Sequence, residues 1–145
     1  MDYLEGLRNA NMGEHNGCEF TEVGADFLKG RIPVDHRTTQ PFGILHGGAS
    51  CVLSETLGSV AAWMTINPDT HRAVGLEINC NHIRAVTEGF VVGTCTPLHV
   101  GRRTQVWQID MTGEATGKRT AISRLTVAVI EHGTLSTQKD AVKVG

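Results

Sequence analysis

The spacing of apolar and polar positions along this chain changes most sharply at residues 47–67. There Ala49, Val52, Leu53, Leu57, Val60, Ala61 and Met64 recur at helical spacing, and Glu55 is the only charged residue. On a 3.6-residue wheel these apolar positions share one broad face, which should pack on a core. Glu55 points the other way, beside Cys51, Gly58, Ser59 and Ala62. An ordinary surface helix would carry Lys, Arg and Glu there. Small uncharged residues instead let a second backbone or a slim ligand come close, so both faces of this helix are expected to be covered.

The rest of the chain reads mostly at period two. Residues 18–23 and 27–34 alternate as a hairpin turning at Gly24-Ala25-Asp26. Asn67-Pro68-Asp69 breaks the helix. Four strand-like runs follow at 72–84, 89–100, 104–112 and 119–131. Short turns at Thr87-Glu88, Gly101-Arg102-Arg103 and 113–118 predict a meander of antiparallel neighbours. Leu4, Leu7 and Met12 predict a helical segment within residues 1–14, and the polar residues 134–145 read as a frayed, flexible tail. One long helix against an antiparallel sheet is an α+β arrangement. With 145 residues and no internal repeat, residues 1–145 form a single domain.

Composition narrows the function. A net charge of −2 gives no basis for binding nucleic acid. Ser, Thr, Gly and Glu interrupt the longest apolar run, so no membrane span is expected. The opening MDYLEGLRNANM lacks a basic region followed by an apolar stretch and is not a signal peptide. Cys18, Cys51, Cys80 and Cys95 show no CxxC spacing and read as reduced thiols of a cytoplasmic protein. The 7 histidines form no HxxxH or HxH pair, so no metal is expected.

Candidate chemistry gathers at the start of the helix. Gly47 and Gly48 fall in its first turn, where backbone N–H groups lack acceptors and the helix dipole favours negative charge. Glycine allows close approach, which is the recipe for an oxyanion site. Gly-Gly also marks plain tight turns, but here it directly follows His46, with Gln40 upstream and Glu55 downstream. Glu55 fits either a functional acid shielded from water or an ordinary exposed or capping residue. Gly47 and Glu55 are eight residues apart, roughly 12 Å along a helix. One small reacting group cannot touch both in one chain. Two antiparallel copies of the helix across a two-fold axis would bring Gly47 of one chain to Glu55 of the other, which predicts a homodimer with two composite sites.

A second cluster lies at strand ends. Asn81, His82 and Arg84 end one run, and His99, Gly101, Arg102 and Arg103 form the next hairpin. In a meander they would converge on one cationic rim suited to a phosphorylated ligand. The alternative reading of Arg102 and Arg103 is a solvated charged turn. His36 reads as a surface residue.

QPFGILHGGASCVLSE at 40–55 resembles the signature of hotdog-fold acyl-CoA thioesterases. The resemblance is to the branch holding the 1,4-dihydroxy-2-naphthoyl-CoA and enterobactin-proofreading enzymes, with the Arthrobacter-type 4-hydroxybenzoyl-CoA thioesterases more distant. VGLEINCNHIRAV at 74–86 and TPLHVGRRTQVWQI at 96–109 extend it over about residues 15–132. The resemblance implies the hotdog fold, an antiparallel sheet wrapped around one long central helix, and hydrolysis of an aromatic acyl-CoA. It implies that the Gly47 N–H, assisted by His46, binds the carbonyl oxygen. Glu55 of the partner subunit would be nucleophile or general base. Gln40 would orient water or thioester, and Ser59 the attacking group or the acyl ring. His82, Arg84, Gly101, Arg102 and Arg103 would contact coenzyme A, which is part of the substrate; no cofactor is implied. Dimers of dimers, hence homotetramers, are expected. Three other readings stand beside this one. One is a thioesterase acting on an aroyl-acyl-carrier protein. Another is a hydratase or dehydratase, which would need a His/Asp or His/Glu pair. The last is a non-catalytic acyl-CoA sensor.

Overall fold

The computed structural model describes residues 11–133. Leu4, Leu7 and the tail from 134 onward lie outside the described residues, so the expectations made for them are not addressed by it. The elements are α1 (Met12–His15), β1 (Glu19–Val23), β2 (Leu28–Pro33), α2 (Gly47–Trp63), β3 (His71–His82), β4 (Phe90–Val100), β5 (Thr104–Gly113) and β6 (Arg119–Glu131). The strands form one sheet in the order β1-β2-β4-β5-β6-β3, and every neighbouring pair is antiparallel.

Helix α2 touches β2, β3, β4, β5 and β6. Five strands span about 19 Å at their usual spacing, whereas a helix is about 10 Å across. The sheet must therefore curl around the helix, which is the expected hotdog arrangement. Leu53 and Leu57 of α2 are each 1% exposed, and each such burial stabilises the fold by about 1.5–3 kcal/mol. Leu57 fits because Gly30 and Gly93 face each other across β2 and β4. A β-carbon on Gly93 would lie 2.7 Å from Leu57 Cδ1, and one on Gly30 would lie 2.9 Å from Cδ2. Alternation along β5 buries Gln105, Trp107, Ile109 and Met111. Gln105 receives Trp107 Nε1–H at 3.0 Å and donates to Thr65 Oγ1 at 2.8 Å, tying the helix end to the sheet. Buried Ser54 pairs with Ser123 at 2.6 Å, and Ser123 donates to the Asn79 carbonyl at 2.7 Å.

Three expectations need correction. First, the meander holds only for β4-β5-β6. β3 does not pair with β4; it crosses to the far edge and pairs with β6 over its whole length. The short turn at Thr87-Glu88 is part of that crossover. Second, the buried seam of α2 is rotated. Gly58 and Ala62, assigned to the Glu55 face, are buried, whereas Met64 is 45% exposed. A β-carbon on Gly58 would lie 2.5 Å from Leu125 Cδ2, so this glycine admits the chain's own β6 and not a second molecule. Third, α2 ends at Trp63. Thr65 Oγ1 donates to the Ala62 carbonyl at 2.7 Å, and Asn67 Oδ1 accepts from Asp69 N at 3.0 Å. Such local side-chain bonds compete with helix propagation.

Candidate active site

The loop entering α2 is held from both sides. The Asp35 carbonyl accepts from Thr38 N and Thr39 N, each at 3.0 Å, and the buried Thr38 hydroxyl donates to the Pro33 carbonyl at 2.6 Å. The Arg37 guanidinium and backbone amide hold the Asp35 carboxyl down at about 2. Gly43 turns with φ +76° and donates to the Gln40 carbonyl at 2.9 Å. Leu45 N then reaches the Val86 carbonyl and His46 N the Thr38 carbonyl, both at 2.8 Å. These bonds fix where α2 begins.

His46 is the N-cap, and its Nδ1 accepts from Gly48 N at 2.8 Å. The neutral ring therefore carries its proton on Nε2. Its carbonyl accepts from Ala49 N at 2.9 Å. With Gly48 and Ala49 satisfied, Gly47 is the first-turn amide left without an acceptor among the described residues. It opens on a cavity of about 300 Å³, which Gln40, Ser50, His82, Arg84 and Thr120 also line. The His82 ring stands against Gly47: a β-carbon there would lie 2.8 Å from Nε2. The Gln40 carbonyl oxygen Oε1 accepts from Phe42 N at 2.5 Å, so half of that side chain is used in its own turn. Gln40, Gly47, His82 and Arg84 thus share one space, with His46 as the cap at its edge.

The other cationic group does not join them. β3 register sets His82 beside Ala121, whereas Thr104 pairs with Ala128. Gly101, Arg102 and Arg103 therefore turn at the opposite end of the sheet, and the expected single rim is absent within one chain. Successive connections of antiparallel strands fall at alternate ends of the sheet, so the end of β3 and the β4–β5 turn would lie apart even without the crossover. The arginines are exposed there, and the Arg103 carbonyl accepts from Val129 N at 2.9 Å. His36 is exposed as expected.

Glu55 is half-buried, two turns further along α2. Ser59 Oγ donates to its Oε1 at 3.3 Å. Among the described residues no Lys, Arg or His forms an ion pair with it. On one side its carboxylate crowds the backbone of β3 at Gly75; on the other it opens on a cavity of about 240 Å³ lined with Cys18, Phe20, Thr56, Ser59 and Val60. Glu55 and Ser59 therefore face one cavity and Gly47 and Gln40 another.

A further cluster has no signature in residue spacing. Cys51 of α2 and Cys80 and His82 of β3 place their ligand atoms within 4.8 Å of one another. Their closeness is made by the packing of α2 on β3, across 29 residues of sequence from Cys51 to Cys80, and only the fold exposes it. Burial, with a further contribution from Cys51, pushes the Cys80 thiol up to about 11, and burial pushes Cys18 to about 11 and Cys95 to about 12. These thiols are protonated at neutral pH and are poor nucleophiles. Glu55 is the better candidate for attack or proton transfer.

The chain matches the thioesterase superfamily over residues 42–119. It is 49% identical over 130 residues to the proofreading thioesterase EntH of Cronobacter turicensis, an alignment covering 88% of this chain and 93% of that one. It is 46% identical over 130 residues to the 1,4-dihydroxy-2-naphthoyl-CoA hydrolase of Escherichia coli, covering 90% and 94%. The crystal structure of a mutant of thioesterase PA1618 from Pseudomonas aeruginosa superposes with a TM-score of 0.87 at 40% identity, covering 90% of this chain and 93% of that one.

Proposed function

Because the chain belongs to the thioesterase superfamily and is a thioester hydrolase, we propose that it cleaves aromatic acyl-CoA thioesters at two composite sites of a homodimer. The observation that carries this reading is an open amide donor together with an acid that has no cationic partner among the described residues. Among the described residues, Gly47 offers an amide without an acceptor at a capped helix start, and Glu55 offers a half-buried carboxylate without a cationic partner. Each is what the other's half-reaction lacks.

The Gly47 N–H, with the dipole of α2 behind it, stabilises the oxyanion that forms as the carbonyl is attacked. His46 Nε2–H is a second donor at the same edge. Glu55 of the partner subunit either attacks the carbonyl carbon or takes a proton from the water that does, and the thiolate of coenzyme A leaves. Ser59 orients the carboxylate. Gln40 holds the water or the thioester. His82 and Arg84 meet the coenzyme at the mouth of the Gly47 cavity. Gly101, Arg102 and Arg103 of one chain contribute phosphate contacts only through assembly with another.

The free edge of β3 supports dimerisation. It is 12 residues long and, among the described residues, pairs on one side only. A strand of that length with an open edge recruits a second one unless it is covered. Leu76 on this strand is 61% exposed, and Phe42, beside Gln40, is 90% exposed. Pairing of two dimers into a tetramer is part of the proposal. Among the described residues no helix is long and apolar enough to cross a membrane. We place the enzyme in the cytoplasm, where its free cysteines stay reduced.

The similarity to a proofreading thioesterase favours a second substrate, an aroyl group on an acyl-carrier protein. The same carbonyl chemistry serves both. Benzoyl-CoA and benzoyl-carrier protein, compared by kcat/KM from thiol release, decide between them. Release from either that vanishes in Glu55→Gln supports the hydrolase. Tight binding of benzoyl-CoA by wild type without thiol release contradicts it.

A further inference from the structure

Cys51 lies one helical turn beyond Gly47 and so shares its face of α2. Cys80 and His82 are two residues apart on β3 and so point to the same side of the sheet. That side meets the Gly47–Cys51 face of the helix. The result is two thiols and an imidazole with their ligand atoms within 4.8 Å of one another. Cys80 Sγ and His82 Nδ1 are 3.8 Å apart. A tetrahedral zinc ion, with sulfur at about 2.3 Å and nitrogen at about 2.1 Å, sets its ligand atoms about 3.6–3.8 Å from one another. One edge of such a tetrahedron already exists, and small side-chain rotations complete the triangle. Both cysteines are half-buried and His82 is exposed, so an ion has a path in from solvent.

We propose that Cys51, Cys80 and His82 form a binding site for a thiophilic divalent cation such as zinc or cadmium, and that its occupancy slows hydrolysis. Two thiolates and a neutral imidazole suit a borderline-soft ion, and three protein ligands leave a fourth position for water. Each thiol gives up its proton to solvent on ligation. His82 binds through Nδ1, which leaves Nε2 facing Gly47. A metal-held ring cannot swing away from the helix start, and the thioester carbonyl must enter there. This second half of the proposal rests on the function argued above; the site itself does not.

The test is to titrate the reduced, metal-free full chain with Co²⁺ under anaerobic conditions. Wild type should develop thiolate-to-cobalt charge-transfer absorption and tetrahedral d–d bands that saturate at one cobalt per chain and are displaced by Zn²⁺. Cys51→Ser and Cys80→Ser should each weaken uptake by more than about a hundredfold, since loss even of a group that only supports a ligand costs about 10–100-fold. Cys18→Ser should bind as wild type does. If either cluster variant fails to fold, His82→Gln, at an exposed position with both thiols intact, should still weaken uptake by at least about tenfold. The absence of a charge-transfer band, or a band that survives the cluster substitutions, overturns the site. Saturating Zn²⁺ should reversibly lower wild-type aroyl-CoA hydrolysis, with EDTA restoring it, and leave Cys51→Ser unaffected. Full activity in the zinc-saturated protein overturns the inhibitory role. A metal-free protein that hydrolyses no thioester would count against the proposed function, while the cobalt spectrum would still decide the site.

Discussion

Gly75 of β3 leaves room for the Glu55 carboxylate and for nothing more: a β-carbon on Gly75 would lie 2.5 Å from Glu55 Oε1. Gly75 sits where the β3–β6 ladder shifts register, so the backbone bends beside the acid. Gly75→Ala should therefore displace the carboxylate. A misplacement of about 1 Å costs roughly a hundredfold in rate. We expect kcat on benzoyl-CoA to fall by about that factor, with the melting temperature near that of wild type. Unchanged kcat would mean that the carboxylate has another resting place.

His46 has two tasks that substitution can separate. Its Nδ1 caps α2 through Gly48 N. His46→Ala should lose about 1 kcal/mol of stability, measured by urea unfolding, together with activity. His46→Asn restores a good cap. It should recover the stability but only part of the activity, because the Nε2–H donor remains missing. Full recovery of activity by Asn would confine His46 to capping.

The Gly58 contact tests the packing of the helix on the sheet. Alanine raises helix propensity by about 1 kcal/mol over glycine. Here its methyl group would lie 2.5 Å from Cδ2 of Leu125, which is 0% exposed. Overpacking of this kind costs about 1–3 kcal/mol. Gly58→Ala should be net destabilising in urea melts, whereas a stabilised variant would show that β6 can shift.

The Asp35–Arg37 pair sets an acid limit. The Asp35 carboxyl is lowered from 3.8 to about 2, chiefly by its hydrogen bond from the Arg37 side chain. A depressed carboxyl contributes stability above its unfolded value and loses it as pH falls through the folded one. Urea melts from pH 4 down to 2 should therefore show wild type losing stability faster than Asp35→Asn. Parallel curves would remove this pair from the acid response.

Much of this was legible from residue pattern because the decisive signals are local. One carboxylate in a helix without other charges singles out Glu55, and Gly-Gly after His46 marks the start of α2. Alternation located β5 and β6 closely because their inward faces are nearly all apolar. Tertiary pairing was not legible. Nothing in residues 83–89 says that β3 must leave β4 and join β6. The single rim of Arg84 and Arg102 fails for a simpler reason: one follows β3 and the other β4, and successive ends of antiparallel strands lie on opposite sides of the sheet. The wheel placed Gly58 on the open face because a glycine has no hydrophobic signature, although Leu125 requires it. Cys51, Cys80 and His82 meet only through packing, which no spacing rule detects.

The central claim is that one chain supplies the amide and the other the acid. Gly47→Pro removes the amide donor at the first helical position, where proline is tolerated and where the extended His46 backbone suits it; its β-carbon also presses on His82 Nε2, which lines the same half-site of the same chain. Glu55→Ala removes only the acid. Each variant alone should be an inactive dimer. When the two are co-expressed, half of randomly paired dimers are mixed, and each mixed dimer holds one intact site of two, so about a quarter of wild-type hydrolysis should return. Mixed dimers that form and remain inactive would contradict a site shared between subunits.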